Sequence, residues 1–93
     1  MRTIEWTSQF KRDYKREGKG QHRATLDSDL FAVVRWLAND HPLEQRYKDH
    51  ALTGEWKDNR DCHIKSDLVL IYQKPDGETI RLVRLGSHSE LGI

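Results

Sequence analysis

Residues 67–74, DLVLIYQK, are apolar on both of their alternating faces. That pattern reads as a strand in the middle of a sheet, because an edge or one-sided strand would alternate apolar and polar residues. Pro75-Asp76-Gly77 follows as a turn signal, with Gly77 suited to positive φ. Residues 78–86, ETIRLVRLG, then return antiparallel. A hairpin with a doubly apolar strand is the frame to which every other element must be fitted.

A third strand is expected at 60–65, RDCHIK, where Cys62 and Ile64 point one way and Asp61, His63 and Lys65 the other. Residues 2–6, RTIEW, alternate well enough for a short first strand. Thr7 or Ser8 can cap a helix over 8–17, with Phe10 and Tyr14 one turn apart on its inner side and Gly18 ending it. The spacing of Leu26, Leu30, Val33, Val34 and Leu37 predicts a helix over 22–39, stopped by His41-Pro42. Residues 42–58 form a linker without helical periodicity, and the tail after Gly86 has room for one helical turn. The order is β-α-α-β-β-β: a single α+β domain over 1–93, with two helices packed on one face of a mainly antiparallel sheet.

Charge narrows the partners. The net charge is only +1, but residues 1–23 carry seven basic side chains against three acids, which suits a polyanion as well as a plain solvated face. The one cysteine, Cys62, excludes an internal disulfide and fits a reducing compartment. No apolar run has membrane-spanning length and no signal segment is recognisable, so a cytoplasmic protein is expected.

The polar segment 47–64, YKDHALTGEWKDNRDCHI, places His50 and His63 on either side of a Gly-Glu-Trp turn. If Cys62 and Ile64 face the helices, His63 faces the opposite side of the sheet. Arg84 sits on a neighbouring strand, His88 lies just past that strand, and His50 approaches from the linker. These side chains, with Asp67, can converge on one surface. Three histidines and an aspartate could ligate a metal, yet no familiar ligand spacing is present, and neither a metal nor a cofactor is expected. Cys62 and His63 point to opposite faces and cannot form a nucleophilic dyad. RNA cleavage by general acid–base catalysis fits the residue types better. It needs a base for the 2′-hydroxyl, an acid for the leaving 5′-oxygen and a cation over the phosphate. Histidine suits the proton transfers and arginine the phosphate.

The block YKDHALTGEWKDNRDCHIKSDLVLIYQ, followed by RLVRLGSHSEL, resembles the RelE/YafQ-type toxins of bacterial toxin–antitoxin modules, and most of all the YafQ branch. The resemblance covers essentially the whole chain. It implies a RelE-like fold and a metal-independent endoribonuclease that cleaves mRNA on the ribosome and so inhibits translation. It also implies a cognate antitoxin protein. Carried over position by position, it implicates His50, His63, Asp67, Arg84 and His88 in cleavage. His88 and Asp67 would transfer protons, with His88 favoured as the acid, Arg84 would face the scissile phosphate, and His50 and His63 would orient or assist. Lys48, Lys57 and Arg60 are expected near the mRNA, and Lys11, Arg12, Lys15 and Arg16 against ribosomal RNA. A non-catalytic toxin-like regulator that binds only antitoxin or RNA is the alternative. One departure from the resemblance stands out: relatives usually carry an aromatic residue after the tail leucine, whereas this chain has Leu91-Gly92-Ile93, with Ile93 as a partial substitute.

Overall fold

In a computed structural model that describes residues 1–93, the chain runs β1 (Thr3–Trp6), α1 (Ser8–Glu17), α2 (Leu26–Ala38), β2 (His50–Ala51), β3 (Arg60–Lys65), β4 (Leu68–Gln73), β5 (Thr79–Gly86) and α3 (His88–Leu91). Single 3₁₀ turns at Gln45–Tyr47 and Gly54–Trp56 lie in the linker. The strands form one sheet in the order β1-β5-β4-β3-β2. Only β1–β5 is parallel; the other pairs are antiparallel. The α+β architecture expected from the sequence is therefore the observed one, with β4 central.

Local chemistry accounts for most boundaries. Thr7 caps α1, its hydroxyl accepting from the Phe10 amide at 3.2 Å. The second helix begins at Leu26 rather than residue 22, because residues 21–25 form turns. It ends at Ala38, before proline can act, with Asp40 taking a left-handed φ of 56°. Gly77 does not adopt positive φ. The β4–β5 loop is closed instead by the Asp76 carboxylate, which accepts from the Glu78 amide at 2.8 Å. The linker is more structured than its lack of periodicity suggested. Asp49 Oδ1 accepts from the Tyr72 hydroxyl at 2.5 Å and from Arg60 Nε at 3.3 Å, which fastens the linker to β4 and β3. That anchorage lets β2 pair with β3, with His50 opposite Asp61.

Both faces of the sheet are covered, unequally. Fifteen buried residues, among them Phe10, Leu30, Cys62, Leu70, Tyr72 and Leu82, fill the space between the helices and the sheet. Trp6 stacks on Phe31 and meets Phe10 edge-on at this layer's margin. On the opposite face only Val69, Ile71 and Leu91 are buried as a cluster, with Leu52, Trp56, Val83 and Ile93 packed around them. The face expected to be open is thus partly roofed by the linker and the tail, and Trp56 anchors the linker there as its apolar ring requires. The polar groups sit around this thin layer.

Candidate active site

The strand register brings the histidines together. On β3, Asp61 and His63 share the face away from the long helices, opposite Ile71 and Val69 of β4. His50 reaches the same face by pairing with Asp61 across β2–β3. Its Nδ1 lies 2.7 Å from the Lys48 carbonyl, so Nδ1 carries the proton, and 3.0 Å from Asp61 Oδ1. The ring is aimed at the carbonyl, and the contact with Asp61 is one of proximity rather than a directed hydrogen bond. Nε2 of His50 makes no hydrogen bond within the protein.

His88 opens α3. Its Nδ1 lies 3.3 Å from Oδ1 of Asp67, which occupies the turn between β3 and β4. The Ser87–Glu90 capping box fixes α3: the Ser87 hydroxyl accepts from the Glu90 amide at 3.1 Å, and the Glu90 carboxylate accepts from the Ser87 amide at 2.9 Å. The His63 and His88 rings meet edge to face with centroids 4.9 Å apart. Burial, and then the charge of His88, lower the His63 pKa, while Asp61 works in the opposite sense. His63 therefore favours its neutral form.

Alternation along β3 puts Asp61 on the face of His63, and the structure adds it to the site. It is buried, and burial pushes its carboxyl up from the usual range against the pull of His50, His63 and His88. Of the three imidazoles only His50 comes within 3.0 Å of it, so Asp61 is a buried acid at the edge of the histidine cluster whose charge is favoured by those rings and opposed by burial. The available signal was the Asp-x-His spacing on a strand, which puts both side chains on one face.

Beside the histidines lies a cleft of about 720 Å³, whose walls include His63, His88, Lys48, Arg46, Tyr47 and Lys65. Arg46 and Lys65 carry no distinguishing signal in the sequence. The Arg46 guanidinium sits 4.8 Å over the Tyr47 ring, while Lys65 is paired with Asp29 at 2.6 Å. Lys48 lines this cleft with no ion-pair partner. Lys57 is exposed beyond the Gly54 turn, and Arg60 is tied to Asp49.

Arg84 stands opposite Ile71, in the cross-strand row that holds Asp61. Its guanidinium is turned to the sheet margin, where Nε donates to Asp13 Oδ2 at 2.7 Å. It does not line the cleft as the structure stands. Lys11, Arg12 and Lys15 are exposed on α1 as a basic face should be. Arg16 differs from them in that its guanidinium, although exposed, also contacts Asp13, Glu17, Glu90 and the Leu85 carbonyl. At the tail, Gly92 takes a left-handed φ of 72° and Ile93 folds back onto the thin apolar cluster.

The family model described as the bacterial toxin of type II toxin–antitoxin system, YafQ, matches residues 2–92. The chain is 36% identical over 91 residues to the mRNA interferase toxin YafQ of Escherichia coli strain K12, covering 98% of this chain and 96% of that protein. A copper-bound mutant toxin from Helicobacter pylori has a similar structure, with a TM-score of 0.85 at 36% identity over 98% of this chain and 99% of that one. The E. coli DinJ–YafQ complex matches with a TM-score of 0.79 at 33% identity, covering 98% of each chain. Family model, sequence relative and folds agree along nearly the whole length: the chain belongs to the YafQ family of toxins of bacterial type II toxin–antitoxin systems.

Proposed function

We propose that this protein is a toxin that cleaves mRNA during translation by general acid–base catalysis without a metal, and that a co-encoded protein antitoxin silences it. The observation that carries the reading is the convergence of two histidine–carboxylate pairs, His50–Asp61 and His88–Asp67, with His63 beside a cation-edged cleft. A base takes the 2′-hydroxyl proton, the 2′-oxygen attacks phosphorus, and an acid protonates the departing 5′-oxygen. His50, through its free Nε2, or Asp67 suits the first task, and His88 the second. Arg84 meets the charge that grows on the phosphate. No group of three or more His, Cys, Asp or Glu side chains is arranged to hold a metal ion. The cytoplasm, where ribosomes work, is the matching compartment, and no helix is long and apolar enough to cross a membrane.

With so few side chains facing the substrate, in-line geometry has to be imposed largely by the ribosome. The exposed Lys11, Arg12 and Lys15 give α1 a face for ribosomal RNA, with Lys48, Lys57 and Arg60 nearer the mRNA. A partner like the antitoxin DinJ, seen bound to E. coli YafQ, is expected here. The missing tail aromatic favours a second reading, a binding-only regulator, because no ring is present there to stack on a base.

One experiment separates them. Purified protein is added to a translation extract and to naked mRNA, with and without EDTA at constant free Mg²⁺. Ribosome-dependent, chelator-resistant cuts are expected. Equal cutting of naked RNA contradicts the ribosome's role, and loss restored only by Zn²⁺ or Mn²⁺ contradicts the acid–base route. Complete absence of cleavage and of growth arrest on induction supports the regulator.

A further inference from the structure

The parallel pairing of β1 with β5 ends at Trp6–Leu82, leaving residues 83–86 of β5 without a strand on that side. Polar side chains from α1 and its cap take over. The Thr7 hydroxyl lies 2.9 Å from the Leu82 carbonyl and 3.1 Å from that of Val83. Asp13 Oδ2 accepts from the Leu85 amide at 3.0 Å, and Arg16 Nη2 donates to the Leu85 carbonyl at 2.8 Å. An uncharged acceptor could satisfy the Leu85 amide. A buried carboxylate is costly unless it is paired, so its presence here calls for a further reason.

That reason is Arg84. Asp13 Oδ2 accepts from Arg84 Nε at 2.7 Å, and Asp13 Oδ1 accepts from Arg84 Nη2 at 3.4 Å and from Arg16 Nη1 at 2.9 Å. One edge of the Arg84 guanidinium is thereby occupied, while Nη1 has no partner in the protein. We propose that Asp13 is a positioning residue for RNA cleavage, fixing Arg84 by its Nε edge at the sheet margin, outside the cleft walls, so that RNA running from the cleft across that margin meets the remaining N–H groups with its scissile phosphate. The inference rests on the reading of Arg84 as the phosphate-binding cation. A flexible arginine held this way loses its rotamer freedom during folding rather than on substrate binding, which is the advantage of preorganisation. Burial acts to raise the Asp13 pKa, but Arg84, the Leu85 amide and Arg16 outweigh it and keep the carboxylate ionised for this task.

The same network steadies the neighbouring helix. Arg16 links Asp13 to Glu90, whose carboxylate closes the cap of α3 just ahead of His88. A Cβ at Gly86 would lie 2.8 Å from Arg16 Nη2, so glycine leaves the room in which this arginine crosses the strand.

The test is a double-mutant cycle on cleavage in the translation extract, with rates normalised to the folded fraction. Asp13→Asn is expected to slow cleavage about 10- to 100-fold in the wild-type background, through misplaced Arg84. In the Arg84→Ala background it should add less than about 2-fold, since the group it positions is already gone. An equal loss in both backgrounds, or none in either, overturns the proposal. If wild-type protein does not cut, the endonuclease reading has failed instead. A second measurement needs no variant: NMR of the Arg84 Nε–H in wild-type protein bound to an RNA blocked by 2′-deoxy substitution at the cleavage position. The proton should stay protected from solvent exchange. Rapid exchange on binding would mean that Arg84 leaves Asp13 to reach the phosphate, and the assignment is then wrong.

Discussion

The two faces of this sheet do different work with neighbouring residues of the same strands. Cys62 is one of the fifteen core residues beneath the helices, while His63, next in sequence, meets His88 on the other side. The helix side is thick and continuous, so any ionisable group placed in it would lose its hydration. The other side has only three fully buried apolar residues, and its rim is half in water. His50, Asp67 and His88 stay partly in water there while sitting close enough to their partners to influence them. Stability and chemistry are separated by the alternation of β3, and that separation is what experiments should try to break.

The largest expected effect is on the thin side. His88→Ala should lower the cleavage rate about 10²- to 10⁴-fold, because it removes a proton-transfer group. Its side chain is 41% exposed, so thermal unfolding should scarcely move. Cleavage in extract and calorimetry on the same sample check both halves. On the thick side the pattern should invert. Phe10 is fully buried, and Phe10→Ala should cost about 3–5 kcal/mol in denaturant unfolding. The rate per folded molecule should be unchanged, and a specific loss of rate would show that the two faces are coupled.

Cys62→Ala sharpens the contrast at a single step along β3. Burial pushes its thiol pKa well up, so no nucleophilic thiolate is available near neutral pH. The expected cost is about 1 kcal/mol of stability, roughly one methylene-sized group, with cleavage per folded molecule intact. The smallest effect tests the electrostatics of the rim. Ionised Asp61 favours His63 in its charged form, so Asp61→Asn should lower the His63 pKa further, read from its imidazole proton shifts by NMR. The sign for stability follows from the folded pKa lying below the unfolded one. Folded His63 takes up its proton later than unfolded His63 as pH falls. Its stabilising contribution is complete above the unfolded value near 6.5 and declines below it, and Asp61→Asn should widen that window. An unchanged or raised His63 pKa in the variant would remove Asp61 from the cluster.

Much of this arrangement is legible along the chain. The doubly apolar run 68–73 has few alternatives to a central strand, and the three- and four-residue spacing from Leu26 to Leu37 has few alternatives to a helix. Alternation in RDCHIK places Cys62 and His63 on opposite faces for the same geometric reason. The family motif marked the five candidate cleavage residues, and the structure gathers His50, His63, Asp67 and His88 at one rim. Signals shorter than one period carry less. The two-residue β2 has no periodicity of its own and exists because Asp49 ties the linker to Tyr72 and Arg60.

Local pattern alone therefore determined the four longer strands, the two long helices, their order and the side to which each β3 residue points, since these depend on steric preferences repeated every two or nearly four residues. Tertiary structure decided what the long polar side chains do. Arg16 and Arg84 look like free cations in sequence, yet both converge on Asp13, more than sixty positions from Arg84 along the chain. Asp61 looks like one more solvated acid, yet it is buried with the His50 ring 3.0 Å away. Charges act through distance and burial, and neither quantity exists until the chain has closed on itself.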